Sequence, residues 1–159
     1  MTRRYSDIPL PETRYQPGIS PRSVRQRSKG WLESLQKPAR LDRAAWQKSL
    51  HYRYAIDLFN GQYWWEAHEV LEGLWVKAGR RDDLALFLQG LIQVCAALLK
   101  KSQGIEEGAR SLAARGVPKI AAHSGIFLGV HVENLVQAIQ SYIADQTETP
   151  PLIVLIDTQ

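Results

Sequence analysis

Residues 59–75 read FNGQYWWEAHEVLEGLW. Glu66, His68, Glu69 and Glu72 stand here among Trp64, Trp65 and Trp75. If the run is a helix, side chains three or four positions apart share a face. His68 and Glu72 are four apart, and Glu69 and Glu72 are three apart. Glu66 is two positions from His68, poorly placed for the same site, and suits the first turn of a helix, where a carboxylate complements the dipole. His68 and Glu72 are therefore the candidate metal ligands, because imidazole and carboxylate both bind zinc, iron or manganese. Glu69 is a candidate general base or acceptor for the imidazole N–H, so His68, Glu69 and Glu72 are the catalytic candidates. Residues 68–72, HEVLE, match the first half of the zinc-peptidase pattern HExxH but place Glu72 at its second histidine.

Outward from this run the pattern is helical. Asn60-Gly61 marks a turn. Upstream of it, Asp42 is a candidate N-cap for a helix over 43–59, with Ala45, Trp46, Leu50, Tyr54 and Leu58 on one stripe. The quoted run predicts a helix over 62–78, closed by Gly79. Leu84, Phe87, Leu88, Leu91, Cys95 and Leu98 predict the next over 83–102, capped by Asp82 or Asp83. An alanine-rich helix over 105–115 is expected to stop before Gly116 and Pro118, and a last helix is expected over 132–145. The intervening AAHSGIFLGV has no clear period. His131 is a candidate cap for the last helix, and His123 reads as a loop histidine.

The fold class expected is all-α: a compact antiparallel bundle of four to five helices with a proline-rich, basic N-terminal extension. The expected segments are an extended, partly irregular stretch over 1–41, the bundle over 42–147 and an extended tail over 148–159. Within the first, SVRQRSKGWLESLQK has room for one short helix, docked by Trp31 and Leu35.

Charge is unevenly placed. Residues 1–43 hold ten Lys/Arg and four Asp/Glu, and the remainder ten and twelve. Nucleic acid is not the partner expected, because no recognition fold surrounds the arginines of PRSVRQRSKG. No apolar stretch of about 18 residues stands out as a membrane span. The lone Cys95 sits in the apolar run GLIQVCAALL and reads as a small buried hydrophobe, which fits a reducing, cytoplasmic setting.

The helix over 83–102 has no acid or histidine between Leu84 and Lys100, but it carries Gln89 and Gln93 beside its apolar stripe. A half-buried amide needs partners, and Glu72 or His68 would be the natural ones. The expected pocket is thus Glu66, His68, Glu69, Glu72, Trp75, Gln89 and Gln93. It would be either an internal polar network that fixes helix register or a cavity for a divalent metal or small ligand.

LFNGQYWWEAHEVLEGLW followed by FLQGLIQVCAALLKKSQG resembles the DUF309 family of small helical proteins of unknown function. The resemblance rests on Phe59, Asn60, Glu66, Ala67, His68, Glu69, Glu72 and Trp75, then on Gln89, Gly90, Leu91, Ile92 and Gln93. It implies that the two helices belong to one shared feature, and it carries no substrate or cofactor. The family pattern often has a histidine near the end of the second motif helix, where this chain has Leu99-Lys100.

Two functions follow as expectations. One is a structural or interaction protein, joined to a copy of itself or to another protein through exposed aromatics among Trp31, Trp46 and Trp65. The other is a metal- or small-ligand-binding protein, or a metal-dependent hydrolase, using His68 and Glu72.

Overall fold

Capping residues and apolar spacing define most elements of the computed structural model, which describes residues 2–79 and 82–157. Met1 at the start of the N-terminal segment and Thr158 and Gln159 of the expected tail lie outside the described residues. Among the described residues there are six α-helices: α1 (Arg22–Ser34), α2 (Leu50–Asn60), α3 (Trp64–Lys77), α4 (Asp83–Ser102), α5 (Glu106–Ala121) and α6 (Val132–Ile143). A 3-10 helix spans Arg43–Lys48, and β1 (Ile126–Phe127) pairs antiparallel with β2 (Val130–His131). Seven helices and a hairpin correct the expected bundle of four to five.

The extra elements have local causes. The helix expected over 43–59 is broken because Ser49 takes an extended conformation and its hydroxyl accepts from the Tyr52 N–H, which restarts the chain as α2. Ahead of the break, Asp42 caps the 3-10 helix through the Ala44 N–H, and Trp46 goes into the core. AAHSGIFLGV forms the hairpin: Leu128 (φ 48°) and Gly129 (φ 76°) both take the left-handed region, as a two-residue hairpin turn requires. Leu128 accepts that conformation while buried, with its carbonyl bonded by the Tyr52 hydroxyl at 2.8 Å.

Helix α4 is the centre of the core, flanked by α3 and α5, and Phe87, Leu88, Leu91, Cys95 and Leu98 are buried there. It is 20 residues long and contains an 18-residue window with a mean hydropathy of 1.5, so by length and composition it could cross a membrane, which corrects the expectation that no such stretch exists. Just over half of it, 56%, is covered by protein, consistent with the core helix of a packed bundle. Its contact with α5 is backbone to backbone. A Cβ on Gly90 would lie 2.9 Å from the Gly116 carbonyl oxygen, and one on Gly116 would lie 2.8 Å from that of Gly90. This close crossing explains why α5 runs on through Gly116. Pro118 is tolerated because it and Ala114, whose carbonyl loses its helical donor, both face solvent.

The N-terminal segment is tied down by buried polar groups of α2 and α3. Asp57 is fully buried and accepts from the Tyr5 N–H (2.7 Å), the Ser6 N–H (3.0 Å) and the Ser6 hydroxyl (2.6 Å), with Arg4 3.1 Å away. The Tyr54 and Tyr63 hydroxyls donate to the carbonyls of Pro9 and Pro11. At the other end of the chain, the Asn60 side chain donates to Ile153 O and accepts from Ile153 N, both at 2.8 Å, as a neighbouring strand would. Leu155 forms a bridge with Val130.

Exposed aromatics do not form a patch, which corrects the expected partner surface. Trp46 is 7% exposed, Trp31 is half-buried with its indole N–H on the Tyr54 hydroxyl, and Trp65 is half-buried beside Tyr15. Among the described residues the large exposed hydrophobics are aliphatic, with Val76, Ile19 and Val154 the most open.

Candidate metal centre

Helix α3 starts at Trp64 and presents two kinds of glutamate. Glu66, in its first turn, is fully buried. Both its oxygens lie 3.3 Å from the Tyr15 N–H, so it holds the N-terminal segment. Burial pushes its carboxyl up to about 7, against the opposing pull of the Tyr15 N–H and Arg14. Glu66 is therefore a clamp residue, and it does not join the cluster formed by the next turn.

His68, Glu69 and Glu72 do come together. Each offers one ligand atom, and those atoms all lie within 4.8 Å of one another. Glu69 Oε1 is 3.5 Å from His68 Nδ1, and Glu72 Oε1 is 3.4 Å from Nε2, so the two carboxylates flank opposite edges of the ring. Nδ1 is buried without a hydrogen-bond partner. Burial alone would lower the imidazole's proton affinity, but the two carboxylates outweigh it and the net shift is upward. Trp65 lies against the ring at 5.3 Å, and Tyr15 packs edge-on against Trp65. Two hollows flank this ridge. His68 lines one of about 230 Å³ with Pro17, Trp64, Leu99 and Lys100. Glu69 lines another of about 430 Å³ with Trp65, Tyr15 and residues of α1.

The glutamines of α4 are elsewhere. Gln93 accepts from the Lys119 ammonium of α5 at 2.7 Å and does not meet His68 or Glu72. Gln89 is half-buried one turn earlier, and Trp75 is half-buried near the end of α3. His131 caps α6 through the Asn134 N–H, while His123 packs against Phe87 and Phe127. The buried role of Asp57, with four polar contacts, was not read from the sequence; a charged residue inside the apolar stripe of 50–60 was the available signal.

The fit to a divalent cation can be tested on geometry. Two ligands each about 2.1 Å from a zinc at the tetrahedral angle sit about 3.4 Å apart. The Nε2 to Glu72 separation of 3.4 Å matches that spacing. The unpartnered Nδ1 facing Glu69 is the arrangement in which a carboxylate orients a ligating imidazole. The protein is thus helical with a His/Glu/Glu cluster able to chelate a divalent metal.

Residues 52–112 match the model of the family described as "Domain of unknown function (DUF309)". The match takes in α3, most of α2, all of α4 and the start of α5, and so includes the cluster. No curated protein matches the chain.

Proposed function

We propose that this protein binds a divalent cation at His68 and Glu72, with Glu69 accepting the imidazole N–H. The observation that carries the proposal is the convergence of three ligand atoms within 4.8 Å around an imidazole whose buried Nδ1 has no other partner. When bound, the cation would supply Lewis acidity and a polarised water. The residues' own part is to hold it: Glu72 shares its charge and Glu69 fixes the ring. Trp65 shields one side of the imidazole. The proton that the carboxylates favour on His68 must leave before a metal takes its place, so binding tightens as pH rises through the imidazole's titration.

The test is calorimetric titration of chelator-stripped protein with zinc, manganese and ferrous iron, paired with thermal shifts. One saturable site is expected, lost in His68→Ala and Glu72→Ala. Glu69→Ala should weaken it roughly 10- to 100-fold. Glu66→Gln should leave it in place. No stoichiometric binding and no thermal shift for any of the three metals would overturn the proposal.

A further inference from the structure

Helix α1 has a basic face with few partners. Arg22, Arg25 and Lys29 line a hollow of about 570 Å³ whose opposite wall is Tyr15, Gly18 and Ser20. No acid lines it. Among the described residues, Arg22 and Arg25 make no ion pair, and Lys29 has only a loose contact with Glu33 at 4.0 Å, both side chains exposed. The hollow runs into the neighbouring one of about 430 Å³, because Tyr15, Arg25 and Lys29 line both. That second space adds the apolar side chains of Leu32 and Trp65 and the carboxylates of Glu33 and Glu69.

The facing wall is held in place. Tyr15 is bonded through its N–H to Glu66, and its ring packs on Trp65. The Pro17 carbonyl accepts from Gln103, and Gly18 turns the chain with φ 78°. Cations on one helix face, opposed to a fixed aromatic wall, thus surround a concave space. Two guanidinium groups without carboxylate partners, beside an ammonium only loosely paired with Glu33, are suited to phosphate, which Arg binds in a bidentate way. The aromatic and aliphatic walls suit a planar organic group attached to that phosphate.

We propose that this face of α1 binds a small organic phosphate monoester, with the phosphate on Arg22, Arg25 and Lys29 and the organic part along Tyr15, Trp65 and Leu32. A nucleic-acid strand is the less fitting occupant, because the three cations gather at one concave space walled by Tyr15, Gly18 and Ser20 and not along an extended stripe. The phosphate end needs no metal, and the organic end borders the cation cluster through Trp65 and Glu69.

The experiment titrates the full chain, in chelator and at low salt, with phenyl phosphate, inorganic phosphate and thymidine oligonucleotides of increasing length. Saturable binding of phenyl phosphate, tighter than that of inorganic phosphate, is expected. Arg25→Ala and Lys29→Ala should each weaken it about tenfold, the loss expected for one charge-assisted contact. Arg27→Ala removes the same charge from another face of the helix, where Arg27 lines a hollow with Pro9 and Pro11, and should leave binding unchanged. All three side chains are exposed, so none of these variants threatens the fold. An equal loss with Arg27→Ala, absence of saturable phenyl phosphate binding, or affinity that appears only with lengthening oligonucleotides would overturn the proposal. So would binding that appears only after metal is added.

Discussion

Two faces of the paired helices α2 and α3 treat their ionisable side chains in opposite ways. On one, Asp57 and Glu66 are fully buried and spend their oxygens on backbone N–H groups of the N-terminal segment. On the other, His68, Glu69 and Glu72 are half-exposed and find only each other. Residues of one short run can thus serve stability or remain available for chemistry. What separates them is whether another part of the chain supplies donors. A carboxylate that has lost its water to the fold must be paired, and its removal is costly. In the half-exposed cluster solvent reaches the two carboxylates, while the buried His68 Nδ1 is left without a partner.

The largest expected break in this contrast comes from Asp57→Ala. It strands the Tyr5 and Ser6 N–H groups, the Ser6 hydroxyl and Arg4. A loss of about 3–5 kcal/mol in denaturant unfolding is expected.

Next comes Glu66, read through pH in metal-free protein. Its carboxyl is raised from an ordinary 4.5 to about 7 in the fold, so the folded state holds the proton more tightly than the unfolded chain. The associated stability is fully present below pH 4.5 and is lost as pH rises to about 7. The loss is on the order of 3 kcal/mol. His68, also raised, adds a change of the same sign. Unfolding curves of Glu66→Gln between pH 4 and 8 isolate the glutamate: the variant should lose most of the slope.

A smaller effect is expected at Asn60. Asn60→Ala removes both bonds to Ile153 and should cost about 2 kcal/mol. Limited proteolysis should then cut first within residues 150–157. Smallest of all is His68→Ala without metal, expected to change stability by no more than about 0.5 kcal/mol. A loss as large as that of Asp57→Ala would erase the contrast and make the cluster a structural network.

Much of the helical plan was legible because its signals are local. Asp82 starts α4 and its run ends before Gly104, and the observed bounds are Asp83–Ser102. The errors arose where a distant contact decides a local conformation. Gly116 reads as a stop until Gly90 is seen against it. Leu128 carries no turn signal, since its left-handed φ is held by burial and by Tyr52. The His/Glu/Glu cluster was readable from helical spacing alone. The expected meeting of Gln93 with His68 and Glu72 does not occur, because spacing places Gln93 on a face without saying which neighbour covers it, and α5 covers it with Lys119.

The grip of α2 on both extremities also bears on how the chain reaches its final state. The Tyr5 hydroxyl accepts from the Leu155 N–H at 3.1 Å, a contact between residues 150 positions apart. Loop closure over so long a span comes late. A chain still emerging from the ribosome can assemble α2 through α5, but it cannot seal the strap across α2 until Leu155 has been made. A contact made this late acts mainly on the folded state, so Tyr5→Phe should speed unfolding and leave the folding rate nearly unchanged.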